Sequence, residues 1–275
     1  MIHEIKQAKN ASGLFAGWQE TMVWSCLQGV MGKIYGDCAE KPESAMALLG
    51  DFAFFAGKPH RELVLEGPGK SGQSFLILTP QDEQWGELIA DCLGQSVRKT
   101  VRYAIKKEPD VFCRPKLQAA VDNLPKGYEL AGIDEAMFFR CREIPWCRDW
   151  VSLYRDYKHY QEYGLGVVIL RDGEPVSGAS SYSGYPGGIE IEIDTRTDCR
   201  RRGLAYICGA KLILECLDRG WYPSWDAQNL WSVALAQKLG YHFDHEYVVY
   251  EWDAQVSSAR KVSRYSKGTL KEDRK

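Results

Sequence analysis

Residues 197–205 read TDCRRRGLA, and their types and spacing suit the binding of an anion. Three consecutive arginines, Arg200, Arg201 and Arg202, run into Gly203, Leu204 and a small Ala205. Alone, such a run is equally a solvated charge cluster, a nucleic-acid patch or the lip of a small anion site. Just before it, IEIEIDT alternates strictly. A strand would place Glu190, Glu192 and Asp194 on one face and Ile189, Ile191 and Ile193 on the other.

The elements that must position these residues follow from their flanks. LGVVILRDGEPVSGASSYSGYPGGIEIEIDT, with turn chemistry at Asp172-Gly173 and Pro186-Gly187-Gly188, reads as three successive antiparallel strands. LAYICGAKLILECLDRG then reads as an amphipathic helix closed by Gly220. WYPSWDA follows as a strand, NLWSVALAQKLG as a helix and HFDHEYVVYEW as a last strand. The arginine turn thus joins a strand to a helix start, where unpaired N–H groups and the positive end of the helix dipole face outward. The dipole alone favours an anion by about 0.3–1 kcal/mol. Each hydrogen bond to a charged oxygen adds about 1.5–3 kcal/mol, and Gly203, lacking a Cβ, lets a ligand approach the backbone.

Upstream, FAFFAG (52–57), ELVLEG (62–67) and SFLILT (74–79) read as strands. Thr79-Pro80-Gln81-Asp82 supplies a cap and an early proline for a helix through WGELIADCLG. A second helix is expected over 96–107, with Val97, Val101, Tyr103 and Ala104 inward. GPGKSG (67–72) resembles a Walker loop but lacks its leading glycine, and is read as a tight turn between two strands. Weak, proline-flanked signals over 109–125 surround one short helix, KLQAAVDNL. A strand near 128–133 and helical segments through 134–163 follow. The expected organisation is a mixed α/β chain: an N-terminal α/β domain over residues 1–125, a second domain over 126–256 and a mobile basic tail over 257–275, which holds seven basic and two acidic residues.

Composition sets the outer bounds. The chain has 275 residues, 45% hydrophobic and 26% charged, with a net charge of -2. No global field draws in nucleic acid or an acidic membrane. The longest apolar stretch is interrupted by Asp51, and the N-terminus lacks the apolar core of a signal peptide. Nine cysteines, an odd number without a CxxC pair, read as reduced thiols, and the cytoplasm is the expected compartment. His242 and His245 have a metal-like spacing without a completing ligand set, so no metal is expected.

Arg200-x-x-Gly203-x-Ala205, the strands before it, and the downstream Asn229-x-x-Ser232 and Lys238-Leu239-Gly240-Tyr241 together resemble the GNAT superfamily of acetyl-CoA-dependent N-acetyltransferases. The likeness covers about residues 126–253. The two-part layout is similar to that of a subgroup containing zwittermicin-resistance acetyltransferases. The resemblance implies a splayed pair of central strands with the pantetheine arm of acetyl-CoA along Ile191–Thr195, contacting Ile193, Asp194 and Thr195. It further implies a pyrophosphate on the amides of Arg201 to Ala205, offset by the arginine side chains, and cofactor contacts from Asn229 and Ser232.

Direct acetyl transfer to an amine needs a neutral nucleophile, donors for the developing oxyanion and a proton for the departing thiolate. The carboxylate row meets the first need, with Glu192 favoured as central and Glu190 and Asp194 as its neighbours; ordinary solvent-facing carboxylates are the bland alternative. Backbone N–H near Ile193 is the expected oxyanion donor. One departure stands out: the family's usual tyrosine falls at Ala236, leaving Tyr206 and Tyr241 as substitutes, and Tyr241 sits where a packed aromatic belongs. The stripe Trp146, Trp150, Tyr154, Tyr157 and Tyr160 reads mainly as core, with some members as walls of an acceptor site. The expected partners are acetyl-CoA and an amine acceptor. A non-catalytic acyl-CoA-binding or regulatory module is the alternative. The first domain is open to three readings: a lid, a surface for a homodimer, or a decayed duplicate.

Overall fold

The computed structural model describes residues 1–256, and the basic tail expected at 257–275 lies outside the described residues. The first half of the chain contains β1 (His3–Glu4), α1 (Thr21–Leu27), β2 (Lys33–Gly36), β3 (Ser44–Leu49), β4 (Phe52–Gly57), α2 (Arg61–Ser71), β5 (Phe75–Pro80), α3 (Glu83–Leu93), β6 (Val97–Ile105), α4 (Arg114–Asp122), β7 (Glu129–Gly132) and α5 (Glu135–Glu143). The second half contains α6 (Tyr157–Tyr163), β8 (Gly166–Arg171), β9 (Glu174–Tyr185), β10 (Gly188–Thr195), α7 (Leu204–Asp218), β11 (Tyr222–Ser224), β12 (Asp226–Ala227), α8 (Leu230–Leu239) and β13 (Phe243–Asp253). Among the described residues no helix is long and apolar enough to cross a membrane.

Two compact units form. The first takes residues 1–19, 32–101 and 248–256, and the second takes 20–31 and 102–247. The units therefore do not divide near Lys126. Residues 102–125 belong with the second because α4 buries Leu117 and Ala120 in the core that α7 organises. Helix α1 joins the same unit, where Ser25 Oγ donates to the Gly184 carbonyl at 2.6 Å.

In the first unit β2, β3 and β4 run antiparallel in sequence order, α2 follows, and β5 lies parallel to β4. Residues Tyr250–Asp253 of β13 then pair antiparallel with β5. SAMALL and FAFFAG are apolar on both faces because both faces are covered. Phe55, Leu63, Leu76 and Trp85 fill the core between sheet and helices, each large side chain contributing about 1.5–3 kcal/mol by leaving water.

The second unit repeats this order. Strands β8, β9 and β10 run antiparallel, α7 crosses, and β11 lies parallel to β10 in the sheet β11-β10-β9-β8-β7. Val176, Ala179, Ile189 and Ile191 from the sheet meet Ile207, Cys208 and Leu212 of α7. Here the strand arriving from elsewhere in the chain is the end of β6, which pairs antiparallel with β12.

Five expectations change. ELVLEG is helical: Leu63, Val64 and Gly67 are buried while Leu65 is exposed, a spacing of three to four rather than the two a strand would show. GPGKSG is accordingly the end of that helix, with Pro68 inside it and left-handed Gly72 as its cap. Residues 97–105 form a strand, not a helix; the β-branched Val97, Thr100 and Val101 suit a pleated surface, and Arg98 finds Glu251 on β13. Pro80 ends β5, and Asp82 caps α3 by accepting from Trp85 N at 3.0 Å. WYPSWDA is two strands rather than one, and that break shapes the site.

Candidate active site

Along its whole length β10 pairs with β9, which inserts one extra residue, Tyr182, opposite the Glu190–Ile191 step. On its other side β10 pairs with β11 at only three positions, Gly188 with Tyr222, Ile189 with Pro223 and Glu190 with Ser224. The chain then turns at Trp225, and Asp226 and Ala227 pair with Ala104 and Tyr103 instead. Among the described residues, no strand pairs with β10 from residue 191 to 195 on the side that β11 has left. The backbone groups of that edge are available to an extended ligand with amide groups of its own.

Beyond Thr195 a 3-10 turn (Thr197–Cys199) leads through the three arginines to α7, whose N-cap is Gly203 at φ 78°. Glycine tolerates this left-handed value and brings no capping side chain. A Cβ placed on it would meet nothing within 4 Å, so the helix start is open. The turn itself is braced: Arg196 donates to both Asp198 oxygens at 2.7 and 3.0 Å, which holds the Asp198 carboxyl down to about 2. Arg200 Nε donates to the Thr195 carbonyl at 3.2 Å, and Arg202 donates to Tyr128 Oη at 3.2 Å and the Asp198 carbonyl at 3.3 Å. Arg201 is exposed at φ 60°. The result is a rigid cradle of main-chain donors with positive charge around it.

Alternation on β10 holds as expected, with Ile189 and Ile191 in the α7 core and Ile193 packed against it. The carboxylates on the opposite face are nevertheless not solvent-facing. Glu190 is only 6% exposed. Thr21 of α1 donates its hydroxyl to Glu190 Oε2, while Glu190 Oε1 is buried without a partner, as is the hydroxyl of Ser183 directly across on β9. Burial pushes Glu190 up to about 7, against the opposing charge of Lys107 and the hydrogen bond from Thr21. Glu192 and Asp194 are half-buried. Burial also raises Asp194, opposed by its hydrogen bond with Glu192.

Residues from distant parts of the chain surround Glu190. Tyr185 Oη lies 3.2 Å from Ser224 Oγ, and Trp24 packs edge-on against Tyr185 with ring centroids 5.5 Å apart. The Lys107 ammonium stands 5.9 Å above the Trp24 ring. Its segment is pinned on both sides, because Tyr222 Oη accepts from Glu108 N at 3.0 Å and donates to the Lys106 carbonyl at 3.2 Å.

The family model described as GNAT acetyltransferase matches residues 12–250. The chain belongs to the GNAT acetyltransferases. It is 48% identical to a GCN5-related N-acetyltransferase-like protein from Streptococcus suis 89/1591, whose crystal structure superposes with a TM-score of 0.85 over 90% of this chain and 98% of that one. An uncharacterized N-acetyltransferase of Bacillus subtilis (strain 168), YdfB, is 28% identical over 245 residues, 84% of this chain and 89% of that protein. A tandem GNAT protein from the clavulanic acid biosynthesis pathway shares the fold at 13% identity, with a TM-score of 0.54 over 92% of this chain and 99% of its own. The protein is thus an N-acetyltransferase, and the family implies acetyl-CoA as the acetyl source.

Glu190, Ile193, Asp194 and Thr195 lie along β10, and the turn after it carries the chain through the arginines to Gly203 and the start of α7. Asn229 and Ser232 lie on α8 and use their acceptor atoms internally. Asn229 Oδ1 caps the helix by accepting from Ser232 N at 3.0 Å, and Ser232 Oγ accepts from Trp225 Nε1 at 3.0 Å. Ala236 is fully buried, and Tyr241, 1% exposed, donates to the Pro223 carbonyl at 2.6 Å, which fits a packed aromatic. Tyr206 is half-buried in the first turn of α7, with Lys238 Nζ 4.3 Å above its ring. Trp150, Tyr154 and Tyr160 are core residues. His242 is paired with Glu108 at 2.7 Å. Thr21, Trp24, Lys107, Ser183 and Tyr185 had no signal of their own in the sequence, since only tertiary structure assembles them.

Proposed function

We propose that this acetyltransferase moves an acetyl group directly from acetyl-CoA to a primary amine of a small molecule, and that Glu190 accepts the amine's proton. The observation that carries the assignment is a carboxylate at the last paired position before β10 and β11 separate, with one oxygen buried and unpartnered and the group pushed up to about 7. Such a carboxyl changes charge near neutral pH, which suits a general base. Glu192, favoured by its central place on the strand, instead hydrogen-bonds Asp194 and is assigned a positioning role.

The amides of Arg201 to Ala205 and the edge of β10 that β11 does not cover fit the diphosphate and amide groups of acetyl-CoA. Bound there, acetyl-CoA supplies an activated acyl group. The chain's part is then to align that edge, to offer backbone N–H near Ile193 to the developing oxyanion, and to hold the amine neutral beside Glu190. Water or Tyr206 returns a proton to the thiolate. Within the family, the two-part layout keeps the zwittermicin-resistance acetyltransferases as the subgroup the chain resembles, and a cytoplasmic location fits this use of acetyl-CoA.

The test is release of free thiol from acetyl-CoA across a panel of small amines. Glu190→Gln is expected to slow turnover by about 100-fold or more while acetyl-CoA affinity, read by calorimetry, stays within about threefold. Undiminished turnover in that variant would remove Glu190 as the base.

A further inference from the structure

The surroundings of Glu190 also bear on which amine enters. Two opposite charges stand at the two ends of one chain of contacts, Lys107 over Trp24, Trp24 against Tyr185, Tyr185 beside Ser224 and Ser224 opposite Glu190. One is Glu190, with Oε1 unpartnered beside the unpartnered hydroxyl of Ser183. The other is Lys107, half-buried over Trp24. Neighbouring charges are already committed: Arg102 donates to Asp226 at 2.6 Å, Asp226 accepts in addition from Tyr247 at 2.7 Å, and Glu108 holds His242. Lys107 differs, because among the described residues its ammonium makes no ion pair and stands instead over Trp24, which packs against Tyr185. The bracing of Lys106 and Glu108 by Tyr222 keeps it there.

A simple cationic amine is poorly matched to this arrangement. It would gain from Glu190 but meet the lysine ammonium in surroundings that are buried at Glu190 and half-buried at Lys107, where like charges repel more strongly than in water. A molecule bearing both an amine and an anionic oxygen group satisfies both walls at once. We infer that the acceptor is an amine carrying a carboxylate or phosphate a few atoms from the nitrogen, and that Lys107 is the residue that selects for that anion. The inference rests on the acceptor site assigned above, but it concerns recognition and can be read without chemistry.

The probes are matched sets differing only in the anion: ethanolamine, serine and phosphoethanolamine, then putrescine and ornithine. Calorimetry on the full chain saturated with CoA reads binding without turnover. Anion-bearing members are expected to bind at least about tenfold more tightly than their partners, with serine against phosphoethanolamine distinguishing carboxylate from phosphate. Lys107→Met, which keeps length and removes charge, should erase that preference, and Lys107→Arg should retain part of it. Equal binding of putrescine and ornithine, tighter binding of the anion-free member, binding of no probe, or an unchanged preference in Lys107→Met would each overturn the inference. In kinetics the lysine variant should raise KM for ornithine more than KM for putrescine, and the acid limb of the kcat profile should move to higher pH because the charge opposing Glu190 is gone. Failure of thiol release from every amine, with ornithine still bound through Lys107, would instead sink the direct-transfer reading and leave this one standing.

Discussion

Strands β4 and β5 in the first unit and β10 and β11 in the second occupy the same place in the same order of elements, yet only one pair opens. Between β4 and β5, parallel pairing runs from Phe52 with Ile77 to Phe55 with Pro80. Gln81 N then donates to the Phe55 carbonyl at 3.0 Å, and Gly57 N to Gln81 Oε1 at 2.8 Å. Trp85 Nε1 seals the end on the Gly57 carbonyl at 2.8 Å. Between β10 and β11 pairing stops at Glu190, and five residues of β10 run on paired with β9 only on the other side. The shared topology is therefore insufficient for a cofactor cleft. What makes the cleft is the departure of β11 toward another partner, together with a longer, arginine-bearing turn before the helix.

Two left-handed glycines make the contrast measurable. Gly57 has φ 82° and Gly203 has φ 78°, but a Cβ on Gly57 would stand 2.2 Å from the Glu43 carbonyl oxygen, whereas Gly203 faces open space. Gly57→Ala combines backbone overpacking with left-handed strain and is expected to cost about 4 kcal/mol. Gly203→Ala should cost only the strain, about 1 kcal/mol. Denaturant melts of both variants check this, and equal losses would break the comparison.

The next largest effect comes from Glu190. Its carboxyl is raised from 4.5 to about 7 in the folded protein, so the unfolded chain releases this proton at lower pH than the folded one. Stability from this group is thus complete below about pH 4.5 and is lost as pH rises toward and through 7, by about 3 kcal/mol in total. Glu190→Gln should flatten that segment of the stability curve. An unchanged slope between pH 5 and 8 would show that burial does not perturb this group, and would weaken the distinction between an ordinary strand face and a working one.

A third experiment compares the two turns directly. Gly203→Glu places a carboxylate at the open helix start and should weaken acetyl-CoA binding by about 100-fold, close to 2.7 kcal/mol at about 1.4 kcal/mol per tenfold. Pro59→Glu, at the exposed corresponding turn of the first unit, should leave that affinity unchanged. Calorimetry on both separates a diphosphate cradle from a general sensitivity to added charge.

What the sequence made legible was local. The β8 to β10 meander, α7 and α8 announce themselves by turn residues, alternation and caps within a few positions of each element, and the arginine turn lies wholly inside one such stretch. What stayed hidden depended on distance along the chain. All three carboxylates of β10 share a face by alternation alone, but only the arrival of Thr21, 169 residues earlier, shows which one loses its water. ELVLEG and residues 97–105 misled for a related reason: short apolar or mixed segments carry weak periodicity, and burial by neighbours decided their form. WYPSWDA gave no sign that its two halves would choose different partners, although that choice creates the cleft.

The smallest effect tests the far wall of the cleft, where sequence and structure give Asn229 different work. The family pattern implies a contact with acetyl-CoA, while the structure shows its Oδ1 capping α8. Asn229→Ala removes the cap and should cost about 1 kcal/mol of stability. Asn229→Asp keeps the acceptor, so thermal stability should stay close to that of the original, and the two variants together separate cap from contact. If the amide only caps, acetyl-CoA affinity in Asn229→Asp stays within about threefold of the original, because no ligand atom depends on the lost N–H₂ group. If instead that group donates to the cofactor, Asn229→Asp loses an order of magnitude in affinity at unchanged stability, about the 1.4 kcal/mol of one hydrogen bond. That result would extend the open surface of the second unit from β10 and α7 onto α8. The corresponding cap in the first unit, Asp82 on α3, supplies the control: Asp82→Asn should change stability slightly and affinity not at all, since the strands beside it never part.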